Sequence, residues 1–364
     1  MNKDSLIKLK KYDFFQEKAV PTELVLENVK HKWGEYMEVP HDISIVIITY
    51  KRLDLLKETI QSVLTQAGNV EYQLIIIDNA GISEGVTDVE EYINTLGDRH
   101  IIYFQQDEEK ALELRKYSLY DAGVVLAKTE WVTVVHDDDI LHPLFLDSVS
   151  GILGSHNEID ALTVDLFPFN DFEKVDFDSS KGKKSTKLSR YTEAELMDYE
   201  TKSFLGTVVK RSIYLKIGFF CNYDNIQSLS EIDDYVFLLR LSHKYQTYYY
   251  DRKLYGYRSW EGASSNKAEW DNVIVCTHYL KTSIANEAKG LLKWIIKENA
   301  RFFTVLEVDN LTDENKNHFN KCMVVSKDKV YEDCGFNPEN YRWKWGIKLI
   351  FIRFVIKMVK LIKK

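Results

Sequence analysis

The chain has 364 residues, of which 45% are hydrophobic and 29% are charged, and its formal net charge is −8. This composition is typical of a globular protein with one large domain or two, and it excludes global disorder. The four cysteines are widely spaced without a CxxC pair, which argues against a zinc site or a disulfide framework. Residues 1–15 lack the hydrophobic stretch of a signal peptide, so we expect a cytoplasmic protein.

The first half of the chain predicts alternating strands and helices. Thr22 favours the start of a helix within residues 1–41, which otherwise have little pattern. The β-branched stretch 43–50, ISIVIITY, predicts a buried strand, and apolar residues at helical spacing in 51–66 predict a helix after it. Further strands are predicted at 72–79, 100–106 and 130–139, and a second helix at 109–127. This order predicts an α/β fold with a mostly parallel sheet flanked by helices.

The second half is predicted to be mainly helical. Residues 165–200 are polar and irregular, which is typical of a loop or an insertion. Residues 204–220 predict a strand and then a short helix, and residues 229–245 predict an amphipathic helix. Further helices are predicted at 270–303 and 312–323.

Polar side chains follow three of the predicted strands. They occupy positions 49–52, 78–79 and 136–139. In open α/β sheets, ligands bind outside the carboxyl ends of the strands. The sequence therefore predicts that these groups line one crevice.

The run His-Asp-Asp-Asp at 136–139 raises the question of what its carboxylates do. Adjacent carboxylates repel one another, and oxygen-rich sites suit hard cations such as Mg²⁺ and Mn²⁺. Such a cation would remove the repulsion and could hold a diphosphate. Asp is also common in turns, so a solvated turn is the alternative interpretation. The position of the run beside two other polar strand ends favours the metal.

Seven stretches between residues 43 and 265 resemble, in the same order, those of family 2 glycosyltransferases. These are inverting enzymes of the GT-A fold that use nucleotide-diphosphate sugars. The stretches are SIVIITYKR, LIIIDNAG, DAGVVLAKTEWV, HDDDILHP, LGTVVKRSIYLKIGFF, DDYVFLLRL and YGYRSWEGASS. The resemblance implies four segments: an N-terminal extension (1–41), a GT-A domain (42–265), a helical C-terminal region (266–341) and a basic amphipathic helix (342–364).

The resemblance assigns the nucleotide site to the first two strand ends. It implies that Thr49, Tyr50 and Arg52 hold the base and the phosphates, and that Asp78 hydrogen-bonds the pyrimidine. A carboxylate suits the imide N–H of uracil, so the expected donor is a UDP-sugar.

The run at 136–139 overlies the D-x-D-D motif of the family. The resemblance makes Asp138 a metal ligand with Asp139 beside it, and it places Asp137 at the variable position. His136 stands where the family has its leading Asp, so an acidic contact to the ribose is in doubt there. The imidazole could make a neutral hydrogen bond instead, or it could simply pack against its neighbours.

The resemblance places the catalytic base at Asp234. This carboxylate would accept the proton of an acceptor hydroxyl as it attacks the anomeric carbon, in line with the leaving diphosphate. Asp233 and Asp234 could equally well complement the helix dipole, and Glu231 is a second candidate for the base.

Two further positions depart from the family pattern. Trp260 stands where the family often has a phosphate-binding His, and Arg258 is the candidate that would replace its positive charge. Asp121 stands where the family commonly has Asn.

The C-terminal residues 342–364 contain eight basic residues and no acidic one. Their longest uncharged run is LIFI at 349–352, far short of the ~20 residues that span a bilayer. The pattern predicts a helix that lies in the interface of an anionic membrane, although an apolar helix packed on the protein or on another subunit is the alternative. A nucleic-acid partner is not expected from so acidic a chain.

The sequence therefore predicts a metal-dependent inverting glycosyltransferase on the inner face of the cell membrane. Its acceptor would be a hydroxyl of a glycan or a lipid-linked glycan in surface polysaccharide synthesis. A sugar nucleotidyltransferase would need a Gly-rich loop after the first strand, where TYKRLD has no glycine. An aspartyl phosphohydrolase would need its aspartates near that strand instead of the fourth. An inactive glycosyltransferase-like binding module stays open because of His136 and Trp260.

Overall fold

The computed structural model describes residues 1–27, 29–36, 42–79, 86–106, 118–180, 187–193, 196, 203–219, 229, 232–259, 269–312 and 325–342. The elements of the first half are, in chain order, α1 (Lys3–Lys10), α2 (Thr22–Leu26), β1 (Val29–Trp33), β2 (Ile43–Thr49), α3 (Leu53–Leu64), β3 (Tyr72–Asp78), α4 (Asp88–Leu96), β4 (Ile101–Gln106), α5 (Ser118–Leu126), β5 (Trp131–His136), β6 (Ile140–Leu141), α6 (Phe145–Ser155) and β7 (Ala161–Phe169).

The second half contains two strands of the sheet, one edge strand and most of the long helices. Its elements are α7 (Phe177–Ser180), β8 (Leu188–Tyr191), β9 (Thr207–Lys210), α8 (Arg211–Ile217), α9 (Asp233–Lys244), β10 (Thr247–Arg258), α10 (Trp270–Ile284), α11 (Gly290–Thr312), α12 (Lys327–Cys334) and α13 (Glu339–Arg342).

The strands form one mixed, mostly parallel sheet. Its order is β1-β4-β3-β2-β5-β9-β7-β10-β6, and β8 pairs with β10. Strands β4, β3, β2 and β5 are parallel neighbours, and β10 is parallel to β7. Strand β1 is antiparallel to β4, and β9 is antiparallel to both β5 and β7. The predicted α/β class with a mostly parallel sheet is confirmed.

Helices cover both faces of the sheet, which explains why all seven residues of β2 are buried. Ile45 and Ile47 belong to the core that packs under α3, α4 and α6. Val46 and Ile48 point to the other face and belong to the core that contains residues of α5, α8, α9, α10 and α11. The alternation follows from the period of two of a strand.

The register of the parallel strands sets the position of the candidate site. Ile48 of β2 pairs with His136 of β5, and Thr49 pairs with Asp78 of β3. Asp78 in turn pairs with Gln105 of β4. The polar groups that follow β2, β3 and β5 therefore lie side by side at one edge of the sheet, as the sequence predicts.

Several elements were not predicted. Strand β1 extends the sheet from within the predicted N-terminal extension. The same region is attached to the end of α8 by two backbone hydrogen bonds, from Lys18 N to the carbonyl oxygen of Ile217 (3.0 Å) and from Val20 N to that of Leu215 (2.8 Å). The predicted loop at 165–200 contains the end of β7, the helix α7 and β8. Strand β10 and the helices α4 and α6 were also missed.

Some predicted elements lie outside the described residues. They are the first part of the helix predicted at 109–127, nearly all of the helix predicted at 312–323, and all but the first residue of the basic segment 342–364. No helix in the described part of the chain is long and apolar enough to cross a membrane.

Candidate functional site

A tight turn follows β2 and directs the side chain of Arg52 toward the acidic run. Thr49 ends the strand and is buried, whereas Tyr50 is 48% exposed. Lys51 has a φ of +52°, an unusual backbone conformation for a residue other than glycine, and its Nζ lies 5.4 Å from the centre of the Tyr50 ring. Arg52 then stands at the N-terminal end of α3.

Arg52 contacts two of the three aspartates. Its Nε donates to Oδ2 of Asp137 at 3.2 Å, and its Nη2 donates to Oδ1 of the same carboxylate. Its Nη1 donates to Oδ2 of Asp138 at 3.2 Å. Burial raises the pKa of Asp137 to about 6, although the Arg52 charge acts to lower it. The guanidinium therefore offsets part of the cost of burying this carboxylate.

Asp139 is held by strand β10. Its Oδ2 accepts a hydrogen bond from Oη of Tyr255 at 2.8 Å, and its Oδ1 accepts one from the backbone N of Arg258 at 2.9 Å. Oγ1 of Thr59 donates to the carbonyl oxygen of Asp139 at 2.7 Å. Burial, and next the charge of Asp138, raise the pKa of Asp139 to about 8. The position of this carboxylate is thus set from two distant parts of the chain.

His136 and two aspartates form a possible cation site. One ligand atom from each of His136, Asp138 and Asp139 lies within 4.8 Å of the others. The imidazole stacks on Tyr120, with ring centres 5.8 Å apart and an interplanar angle of 16°. Its Nδ1 lies 3.7 Å from Oδ2 of Asp139. The two carboxylates suit Mn²⁺ or Mg²⁺, and an imidazole nitrogen suits a transition metal, so the three ligands together fit Mn²⁺ better than Mg²⁺.

Asp78 is fully buried at the end of β3. Its Oδ2 accepts hydrogen bonds from Oγ1 of Thr87 and from Oη of Tyr103, both at 2.9 Å. Thr87 also caps the N-terminus of α4. The carboxylate is therefore fixed in place at the edge of the sheet where Thr49 ends β2.

Unsatisfied amide groups surround Asp78. Oδ1 of Asn79, Oε1 of Gln105 and both polar side-chain atoms of Gln106 are buried and have no hydrogen-bond partner within the described parts of the chain. Buried polar groups usually have partners, so these atoms have hydrogen-bonding capacity that a ligand can use. These groups stand at the ends of β3 and β4, so buried polar atoms without partners lie together at this edge of the sheet.

Comparison with known proteins decides the family. Residues 44–204 match the model of glycosyl transferase family 2, and this segment includes the first four of the seven stretches named above. A family 2 glycosyltransferase domain therefore occupies residues 44–204 of the chain. A search of curated proteins returned no match to its sequence.

The solved structure of S. aureus TarS supports the GT-A type of fold of this glycosyltransferase. It is similar to residues 1–349 of S. aureus TarS, crystallised with UDP, with a TM-score of 0.50, 13% identity and 80% of each chain covered. A mannosyltransferase from Pyrobaculum calidifontis, in complex with GDP-Man and Mn²⁺, aligns with a TM-score of 0.45 and 10% identity over 99% of this chain and 96% of that chain.

Arg258 stabilises the acidic run of the glycosyltransferase through its backbone. Its Nε donates to the carbonyl oxygen of Asp138 at 2.8 Å, and its Nη1 donates to that of Asn170 at 3.0 Å. Its Nη2 pairs with Glu58, and its guanidinium carbon lies 4.4 Å from the centre of the Phe169 ring. The residue is 6% exposed. A direct contact of Arg258 with phosphates stays a prediction.

Asp234, the predicted base, stands in the first turn of α9. Its Oδ1 accepts a hydrogen bond from the backbone N of Tyr235 at 2.8 Å, and burial raises its pKa to about 6. Across the residues that the structure describes, no hydrogen bond or ion pair joins Asp234 to the run at 136–139. Glu231 and Trp260 lie outside the described residues.

Other residues of the site were not predicted. Tyr255, Thr59 and Glu58 contact the acidic run or the arginine behind it from positions far away in the sequence. Gln105 and Gln106 could have been identified as candidate site residues from the sequence, because these two amides end the predicted strand HIIYFQQ. Asp121 accepts a hydrogen bond from the backbone N of Phe219 at 3.2 Å, which gives this buried carboxylate a structural contact.

Proposed function

We propose that this glycosyltransferase uses a UDP-sugar and a bound Mn²⁺ or Mg²⁺, and transfers the sugar with inversion to a hydroxyl of a glycan or a lipid-linked glycan. One observation carries the proposal. A possible cation site at His136, Asp138 and Asp139 stands beside a buried acid and unsatisfied amides at the same edge of the sheet.

The donor side of the proposal rests on the polar groups at the ends of β2, β3 and β4. Asp78 would accept the imide N–H of uracil, and the unpaired side-chain amide atoms at the ends of β3 and β4 can hydrogen-bond the nucleotide. Thr49, Tyr50 and Arg52 would contact the base and the phosphates. The fold shared with S. aureus TarS, which was crystallised with UDP, agrees with this donor class.

The acidic run would hold the metal, with Asp138 as the carboxylate that solvent reaches most easily. The side chain of Asp138 is 13% exposed, whereas that of Asp139 is 1% exposed. His136 and Asp139 would complete the protein ligands. When bound, the cation supplies positive charge for the diphosphate that leaves. Asp137 and Arg258 would orient the run through their contacts with Arg52 and with the backbone of Asp138.

Asp234 would accept the proton of the acceptor hydroxyl. Its raised pKa, about 6, is close to the value that suits a general base near neutral pH. Inversion follows from a single in-line displacement by that hydroxyl.

The remaining predictions concern the surroundings of the transferase domain. We propose that residues 42–265 form this domain and that residues 266–341 form a helical C-terminal region. The basic segment 342–364 would bind an anionic membrane surface, which would bring a lipid-linked acceptor to the crevice.

Release of UDP from a panel of UDP-sugars, with and without Mn²⁺, tests the proposed function. We expect metal-dependent release that falls by about two to three orders of magnitude in Asp138→Ala, because a metal ligand that stabilises the leaving group is lost. Asp54→Ala is the matched control, since Asp54 lies on α3 with its side chain 98% exposed. No metal-dependent binding or turnover of any UDP-sugar would contradict the proposal and favour a binding module without activity.

A further inference from the structure

Arg52 already holds one carboxylate oxygen of Asp138, a residue of the possible cation site. Its Nη1 donates to Oδ2 of Asp138, and its Nε and Nη2 hold both oxygens of Asp137. The guanidinium thus bridges two consecutive carboxylates that would otherwise repel each other. Arginine is suited to this because its planar group presents several donors in a fixed geometry.

The two contacts of Arg52 differ in how easily they can be broken. Asp137 is 1% exposed and has two hydrogen bonds to Arg52, whereas Asp138 is 13% exposed and has one. The arginine side chain itself is 35% exposed. The single bond to Asp138 is therefore the more easily broken of the two contacts.

We propose that Arg52 is an internal counter-ion of Asp138 and that a nucleoside diphosphate releases it, so that tight metal binding requires the nucleotide. This inference rests on the proposed function, because it takes the crevice as the site of both ligands. Without nucleotide, a divalent cation must displace one charged hydrogen bond and approach a nearby positive charge. With nucleotide, the diphosphate offers the guanidinium a more negative partner and frees Oδ2 of Asp138.

The place of Arg52 in the fold favours such an exchange. It follows Lys51, whose φ is +52°, and it immediately precedes α3. The backbone is thus fixed on both sides, and only the side chain needs to move. The diphosphate is expected beside Thr49 and Tyr50, which precede Arg52 by three and two residues. The Arg52 side chain would therefore be close to it.

The test is Mn²⁺ binding to the full chain, measured by the electron paramagnetic resonance signal of free Mn²⁺, with and without saturating UDP, each against a protein-free sample with the same UDP. For the wild type, we expect UDP to tighten Mn²⁺ binding at least about tenfold. Arg52→Gln should bind Mn²⁺ about tenfold more tightly than the wild type without UDP, and UDP should tighten its Mn²⁺ binding by a smaller factor than in the wild type. Tenfold corresponds to about 1.4 kcal/mol, the size expected for one partly exposed charged hydrogen bond.

Two other variants separate geometry from charge. Arg52→Lys keeps the charge but lacks the planar fork, so its Mn²⁺ affinity without UDP should lie between those of the wild type and Arg52→Gln. Arg99→Gln removes an arginine whose side chain is 65% exposed and pairs with Glu71, and it should behave as the wild type. The lysine variant also keeps the test valid if the glutamine variant does not fold.

The outcomes distinguish this inference from the proposed function. Equal Mn²⁺ affinities for the wild type and both Arg52 variants without UDP, with UDP still bound, would overturn the role of Arg52 and leave the donor site standing. Weaker Mn²⁺ binding by Arg52→Gln without UDP would also overturn that role. No Mn²⁺ binding by any variant, with or without UDP, would overturn both.

Discussion

Asp139 illustrates how a carboxylate can be buried without an opposite charge next to it. Its oxygens accept hydrogen bonds from Tyr255 and from the backbone N of Arg258, and both donors are neutral. Neutral donors offset only part of the lost hydration, so the pKa of Asp139 rises to about 8. A divalent cation at the site would reverse this balance by stabilising the ionised form.

The raised pKa of Asp139 predicts how the stability of the metal-free protein depends on pH. The unfolded chain has an Asp pKa of about 3.9, so the folded state binds this proton more tightly. The resulting stability is complete below about pH 4 and is lost as the pH rises through about 8. Asp137 also has a raised pKa, about 6, so it contributes a similar loss of stability as the pH rises through about 6.

Asp139→Asn should remove the larger part of this dependence, because the amide resembles the protonated carboxyl. In EDTA, the melting temperature of the variant minus that of the wild type should increase by several degrees between about pH 5 and about pH 8.5. Thermal unfolding followed by circular dichroism measures the difference. Two melting curves that shift in parallel with pH would show that Asp139 is ionised in the folded state throughout.

The sequence identified the acids of the site but not the groups that hold them. A run of three aspartates after a buried strand is visible without a structure. Tyr255 and Thr59 are not, because each meets Asp139 only through the folding of segments that lie 116 and 80 residues away. Arg258 was predicted as a phosphate ligand, and its contacts with Glu58 and the backbone could not be foreseen from its position alone.

At the level of elements, α5 and β2 make a contact that requires glycine. A Cβ atom at Gly123 would lie 2.2 Å from Cγ1 of Val46 in the centre of the sheet. Neither residue can move away easily, since Val46 is 0% exposed and is held in a strand between two others. This close approach sets the distance between α5 and the sheet, and hence the position of Tyr120 against His136.

Gly123→Ala should therefore destabilise the protein by about 1–3 kcal/mol, the usual cost of overpacking a core. Gly151→Ala is the matched control, because Gly151 also lies within a helix and its Cβ would have nothing within 4 Å. That variant should be neutral or more stable by up to about 1 kcal/mol, since alanine favours a helix. Urea unfolding of the two variants gives the comparison, and equal stabilities would refute the packing argument.

Strand β10 shows why one element escaped prediction. Its sequence TYYYDRKLYGYR mixes aromatic and charged residues, and its pairing with β7 changes register between Tyr250 and Lys253 and again between Lys253 and Tyr255. Such irregularities break the alternation by which a strand is recognised. By contrast, β2, β3 and β5 are short and rich in β-branched residues, and all three were predicted close to their observed bounds.

At the scale of the whole molecule, the site depends on strand order. Strands β2 to β5 could be placed in a parallel sheet because their connections follow the usual α/β pattern. Strand β9 enters antiparallel between β5 and β7, and β10 then pairs with β6, where Tyr255 faces Leu141 and Gly256 faces Ile140. These non-local pairings bring Tyr255 and Arg258 to the acidic run. No local pattern in the sequence predicts such pairings.

The central claim is that the edge formed by β2, β3 and β5 binds a nucleoside diphosphate together with a divalent cation. The most direct measurement is an anomalous difference map from crystals of the full chain grown with UDP and Mn²⁺. We predict one Mn²⁺ peak within coordination distance of Asp138, beside His136 and Asp139, and uracil density near Asp78. A map with UDP bound but its Mn²⁺ peak away from Asp138, or with UDP away from this edge, would contradict the claim.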